Sequence, residues 1–225
     1  MKNPSWLQWV GSSVLLTLLV GCAAPAPKDF TEFKNAKPTS ILVLPPVNQS
    51  PDINATYGVY SHVQRPLAEG GYYVYPITLV DETFKQNGYT VVDDIHHIQA
   101  DKLREIFGAD TALYITVKDY GTKYFVVGSA AIVNLEGKLV DLRSGKTLWE
   151  GKASASSEEG QNNNQGGGLA GLLVAAIVKQ VLSTTIDQSY RVAGIANQRL
   201  LGGTMPIGPR HPDYGVAPAS PAPAK

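Results

Sequence analysis

The strongest constraint on this chain is a change in the period of its apolar residues. Ile41-Leu42-Val43-Leu44 is a continuous apolar run closed by Pro45-Pro46. A strand with no polar side is buried on both faces of a sheet, so this run opens an α/β domain. Further along, Leu113, Ile115 and Val117 alternate with Tyr114, Thr116 and Lys118, and Val133, Leu135 and Leu139 alternate with Asn134, Glu136 and Lys138. That is the pattern of half-exposed antiparallel strands. One chain carrying both patterns is expected to build a mixed sheet, with a crossover amino-terminal half and an antiparallel hairpin half.

The intervening segments supply helices. Tyr57, Tyr60, Val63 and Leu67 fall at helical spacing with Gly70-Gly71 as the stop, and Tyr72–Tyr75 offers a second strand ended by Pro76. Strand, helix, strand implies a crossover connection. Residues 78–86 group Leu79, Val80, Thr83 and Phe84 on one face before Gly88, and Ile98, Leu103, Ile106 and Phe107 repeat the pattern before Gly108. Around Gly145, Leu139–Leu142 and Thr147–Lys152 should close a hairpin. Residues 154–165 read as a polar loop, and 169–200 as helix with a weakness near Gly194. The fold class is therefore α/β (α+β), a mixed sheet with flanking helices.

The amino terminus is set apart from that domain. Lys2, the apolar stretch Val14–Val20 and Gly21 precede Cys22, the sole cysteine. Residues 1–21 read as an export signal, too short and too interrupted by Gly11-Ser12-Ser13 to span a bilayer. Leu19-Val20-Gly21-Cys22 resembles the lipobox of bacterial lipoproteins, which makes Cys22 the lipid-attachment residue. By the same resemblance, Ala23 in place of aspartate favours the outer membrane. Residues 22–37 are expected to be a lipidated tether, 38–201 a single α/β domain, and 202–225 a mobile tail punctuated by six prolines from Pro206 onward.

Several stretches together resemble one known family: Ile41–Pro46 with Val47-Asn48, Gly71–Pro76, Leu103–Asp110, and Leu139–Leu142 with Leu148–Gly151. It is the family of outer-membrane lipoproteins of unknown function whose genes sit beside a CsgG-like, curli-secretion-type lipoprotein. The resemblance spans roughly residues 19–215 and includes Gly208-Pro209-Arg210-His211-Pro212. It implies a fold similar to the TolB amino-terminal domain and a location facing the periplasm, with display at the cell surface left open. It supplies no catalytic residues.

The residues themselves offer little chemistry. Gly166-Gly167-Gly168-Leu169-Ala170-Gly171 matches G-x-G-x-x-G, but Gln161–Gln165 before it is no strand, so a dinucleotide site lacks its strand–turn–helix context. Gly145-Lys146-Thr147 has Val140 where a phosphate loop needs its first glycine. Asp93-Asp94-Ile95-His96-His97 gathers ligand-type side chains, yet adjacent histidines point apart and no i, i+4 pair exists; a helix start capped by aspartate fits better. Gly128-Ser129-Ala130 lacks the second glycine of a nucleophile elbow. No catalytic, cofactor or metal site is expected. With 19 cations against 19 anions, the chain carries no field for nucleic acid.

One anomaly remains. Leu169–Val178 is apolar on every side, whereas a surface helix needs a single apolar stripe. Leu172, Leu173, Ala176, Ile177 and Val181 are therefore candidate interface residues of a homo-oligomer. The expected role is a non-enzymatic accessory or scaffold in envelope assembly or transport, anchored to the membrane through its lipid and working with a CsgG-like partner. The alternative is a periplasmic carrier of small ligands using a groove beside the Pro45–Asn54 loop.

Overall fold

A computed structural model describes residues 29–125, 128–158 and 188–216. Strand β1 (Ser40–Val43) lies inside the sheet, parallel to β3 (Tyr73–Val74) on one side and to β4 (Thr111–Phe125) on the other. Beyond β4 the sheet continues antiparallel through β5 (Gly128–Asp141) and β6 (Thr147–Ser156), and the short β2 (Val47–Asn48) also pairs with β4. The two apolar periods thus divide one mixed sheet, as the sequence implies. Ile41 and Val43 feed a core shared with α2 (Ala55–Tyr60), α3 (Gln64–Glu69) and α7 (Gln188–Gly202). Leu42 and Leu44 feed a second core, shared with α4 (Ile77–Gln86), α5 (Val92–His96) and α6 (Ala100–Phe107).

Several expectations are corrected in detail. Residues 57–67 form two helices, not one: Pro66 has no N–H to give the His62 carbonyl and its ring would clash there, so the chain turns at Ser61–Val63 and restarts. On α4, Val80 and Phe84 are buried one turn apart, but Leu79, expected on the same face, is 64% exposed. Asp93 and Asp94 occupy the first turn of α5 without capping it; the cap position belongs to extended Val91. Carboxylates there still suit the positive end of the helix. Gly194 does not interrupt α7. It leaves room for the His62 ring, which a methyl group at 194 would approach to 3.3 Å.

Both ends of the expected domain extend further than the sequence indicates. Residues 31–36, assigned to the tether, form helix α1 (Thr31–Ala36), with Phe33 buried in the first core. The start of the tail is docked, not mobile. Met205 is buried, the Tyr72 hydroxyl donates to the Pro206 carbonyl (2.6 Å), and the amides of Gly208 and Arg210 donate to the carbonyls of Gly70 (2.7 Å) and Gly71 (3.0 Å). Gly71, at φ +88°, admits this close approach, which any side chain would block.

The β4–β5 ladder runs from Thr111↔Asp141 to Phe125↔Gly128, whereas β6 stops at Ile132↔Ser156. The end of that hairpin therefore projects past the sheet. Val117 pairs with Leu135 and Asp119 with Asn134, leaving Lys118 as an extra residue. This bulge swaps the faces of β4, so that Leu113, Ile115 and Val117 enter the core before it and Tyr120 after it.

Candidate functional site

Helices α4–α6 cover the second face of the sheet only over its parallel half. Over β4–β6 no described element covers the same face, and its alternate positions carry Tyr114, Thr116 and Lys118, then Glu136 and Lys138, then Glu150 and Lys152. Bounded by His96 at the end of α5 and by His97 just after it, all of these residues except Lys118 line a hollow of about 780 Å³ whose floor includes Gly137 and Gly151. Strand register explains the arrangement. Glu136 lies directly opposite Lys152, Lys138 opposite Glu150, and Tyr114 opposite Lys138. Directly opposed residues are the closest same-face neighbours in an antiparallel pair, so opposite charges meet across the ladder.

The Glu136 carboxylate accepts from Lys152 Nζ at 2.6 Å and pairs with Lys118 Nζ at 3.4 Å. The bond from Lys152 holds it below the usual carboxylate pKa. The Tyr114 ring sits between the Lys138 ammonium (5.3 Å from its centroid) and the edge-on His96 ring (5.2 Å). Burial raises the Tyr114 phenol above its ordinary value. His96 Nε2–H donates to the Pro45 carbonyl at 2.8 Å, tying α5 to the end of β1. Burial pushes His96 below its usual pKa, outweighing that bond. His97 turns the other way, with Nδ1–H donating to the Asp93 carbonyl at 2.7 Å. The two histidines thus serve different partners.

The arrangement is suited to recognition. Its phenol is shifted away from ionisation, its buried imidazole is committed to a backbone carbonyl, and its central carboxylate is held by two lysines. Among the described residues no three His, Cys, Asp or Glu side chains gather as a metal set. The Pro45–Asn54 loop, candidate wall of a ligand groove, binds to itself: Asn48 Nδ2 donates to the Asp52 carbonyl, and Ser50 donates to Asn48 Oδ1 through both its amide and its hydroxyl. Gly145, at φ +70°, turns the β5–β6 hairpin, and Lys146 pairs with Glu32. Cys22, Leu172, Leu173, Ala176, Ile177, Val181 and the glycine run at 166–171 lie outside the described residues. The open face itself is missed when the strands are read one at a time. Its signal is the recurrence of Glu and Lys two residues apart on β5 and again on β6, with Lys118 on neighbouring β4.

Among the described residues no helix is long and apolar enough to cross a membrane. Residues 28–210 match the family model described as "Putative lipoprotein GNA1162-like". The chain is 48% identical over 193 residues to "Putative lipoprotein NMB1124/NMB1162" of Neisseria meningitidis, covering 85% of this chain and 88% of that protein. The crystal structure of lipoprotein GNA1162 from Neisseria meningitidis superposes with a TM-score of 0.51 at 51% identity, covering 65% of this chain and 99% of that one. With the matched region reaching from α1 through the docked tail, the chain belongs to the GNA1162-like lipoprotein family.

Proposed function

We propose that this protein is an outer-membrane lipoprotein, acylated at Cys22 and facing the periplasm, that acts as a non-enzymatic accessory or scaffold in envelope assembly or transport. The observation that carries this reading is the sole cysteine standing at the end of Leu19-Val20-Gly21-Cys22 in a chain of a lipoprotein family. Two or three acyl chains hold a protein on a bilayer where one holds it only marginally. The charge ladder on the open face adds a broad polar surface suited to protein contact. A homo-oligomer formed through the apolar run at 169–181, with a CsgG-like lipoprotein as partner, completes the proposal.

The test is twofold. Cys22→Ser is expected to abolish incorporation of labelled palmitate and leave uncleaved precursor. The acylated wild type, cross-linked in membranes and recovered, is expected to bring down a second envelope polypeptide. Continued labelling in the variant sinks the anchor, and recovery of the chain alone sinks the scaffold.

A second reading, a carrier of small ligands, is favoured by the hollow of about 780 Å³ on the open face. Native mass spectrometry separates the two: a co-purified small molecule supports the carrier, a second polypeptide the scaffold.

A further inference from the structure

The antiparallel half of the sheet ends on a strand whose outer backbone can be assigned residue by residue. Strand order runs β3-β1-β4-β5-β6, and among the described residues no strand lies beyond β6. The Ser157 amide donates to the Ala131 carbonyl, one step past the pairing of Ser156 with Ile132. Inward and outward backbone alternate along a strand. Gly151, Ala153 and Ala155 therefore bond to β5, while Glu150, Lys152 and Ser154 direct N–H and C=O away from it. The Ser154 carbonyl agrees: it accepts from Arg199 Nη1 at 2.7 Å, which closes the edge at that point. The outward stretch is thus centred on Gly151, with Glu150 on one side and Lys152 on the other. Both side chains are exposed, that of Lys152 to 80%.

We propose that two copies of this chain join through their β6 edges, antiparallel about a two-fold axis at Gly151, so that Glu150 lies opposite the partner's Lys152. Charge selects both the occupant and the register. A symmetric antiparallel pair sets residues at equal distances from the axis opposite each other. An axis at Glu150 or at Lys152 would put like charges face to face, which is destabilising, whereas an axis at Gly151 puts each acid against a base. An axis at Ala153 would call on the Ser154 carbonyl that Arg199 already holds. Within the chain Lys138 lies opposite Glu150, and Glu136 opposite Lys152. With the axis at Gly151 the row reads Lys138, Glu150, the partner's Lys152, the partner's Glu136, alternating in sign across four strands, and symmetry supplies it twice. An edge lysine alone guards a sheet against any passing strand. The glutamate two residues before it lifts that guard for one partner in one register.

The backbone supports the same axis. Each opposed pair of Glu150 with the partner's Lys152 exchanges N–H···O bonds in both directions, because both residues point outward. At the axis Gly151 meets the partner's Gly151 as a non-hydrogen-bonded pair, in which Cα atoms approach to about 4.5 Å. Joining the edges also merges the two open faces into one polar surface. The contact is short, and copies held on one membrane by their lipids meet at a raised effective concentration, which favours it. It rests on the homo-oligomer proposed above but not on the apolar run at 169–181.

The experiment uses the full acylated chain. Glu150→Cys and Lys152→Cys chains are placed singly and mixed in phosphatidylethanolamine–phosphatidylglycerol vesicles and oxidised. A disulfide needs Cα atoms within about 7 Å, which directly opposed residues satisfy and the diagonal pair of two residues 150 does not. A bond between positions 150 and 152, assigned by mass spectrometry of the linked peptides, is expected in the mixture and in neither variant alone. Glu150→Lys and Lys152→Glu, made singly, are then followed by sedimentation in detergent, with circular dichroism reporting the fold. Each variant sets like charges across the axis and is expected to lose the dimer. Mixing the two should restore it, because every opposed pair is again acid against base. No linkage in the mixture, or linkage as strong in one cysteine variant alone, overturns the proposal. A dimer that survives both reversals overturns it too and leaves the apolar run as the contact between copies, while a monomeric wild type overturns both. Where a reversal unfolds the chain, the mixed disulfide decides.

Discussion

The indole of Trp149 occupies the space that a side chain at Gly151 would need. A methyl group built at residue 151 would clash with the edge of the ring, and one at Gly137, paired with Gly151 across the ladder, would sit 3.1 Å from it. Neither glycine has a left-handed backbone, so space alone requires them. The indole N–H donates to the Thr204 carbonyl at 3.0 Å, which ties β6 to the end of α7.

Gly151→Ala is therefore expected to destabilise the fold by about 1–3 kcal/mol, the usual cost of overpacking, and to lower the thermal midpoint by roughly 3–10 °C. Gly137→Ala should cost less. Calorimetry of both variants checks the order, and equal midpoints for Gly151→Ala and wild type would refute the packing account.

Removing residues 206–225 is expected to cost about 2–3 kcal/mol. It strips the buried Tyr72 hydroxyl of its acceptor and breaks the bonds to Gly70 and Gly71, each typically contributing about 1 kcal/mol. Urea denaturation of the chain truncated after Met205 measures it. A midpoint matching wild type would show that the docked segment adds nothing.

Stability should fall on acidification in two stages. Burial depresses the pKa of His96 and His62 in the folded state. The unfolded chain therefore takes up protons first, and stability is lost as pH drops below about 6.5. At Asp110, burial works to raise the pKa, but bonds from Thr39 and Ser40 outweigh it, and the carboxyl lies below its ordinary value. Its contribution is present above about pH 3.9 and disappears as pH falls through the folded value. Denaturant midpoints between pH 7.5 and 5 should fall less steeply in His96→Gln than in wild type; parallel curves would exclude His96.

Leu172→Glu, Leu173→Glu and Ile177→Glu, made singly, should divide into two kinds. On the partner-facing side the charge is desolvated in an interface and dissociates a micromolar oligomer without unfolding its chains; on the inward side it unfolds them. Sedimentation and circular dichroism report the two effects separately. A monomeric wild type, with every variant unfolded, would make the apolar run internal to one protomer.

Where single residues decide the structure, the sequence is easy to read. Ile41–Leu44 before two prolines can only be an interior strand, and Gly108 and Gly145 take the left-handed backbone their turns demand. What escapes is of a different kind. Helix α1 rests on the one buried side chain of Phe33 in a polar stretch, too little to create a period. The tail docks through bonds from the Gly208 and Arg210 amides to the Gly70 and Gly71 carbonyls, and backbone bonds leave no mark on hydropathy. The bulge at Lys118 hides among polar neighbours and becomes visible only through its partner strand. The open face needs three strands in register before its charges meet, so its single residues look like ordinary solvent-facing positions.

The insertion of β1 between β3 and β4 also dictates the order of events during folding. The β4–β5–β6 meander closes through short turns, whereas Val43 must find Leu113 across all of α2–α6 and β3. Long closures cost more chain entropy and are made late. The meander is expected to form first as a template, with the oldest-synthesised strand arriving last. Pulse-labelled hydrogen exchange should find the amides of Leu135 and Leu139 protected before that of Leu44, which bonds to the Leu113 carbonyl. Until β1 arrives, the edge of β4 stays open to any passing strand, so the interval before that closure is when the chain is most exposed to misassembly.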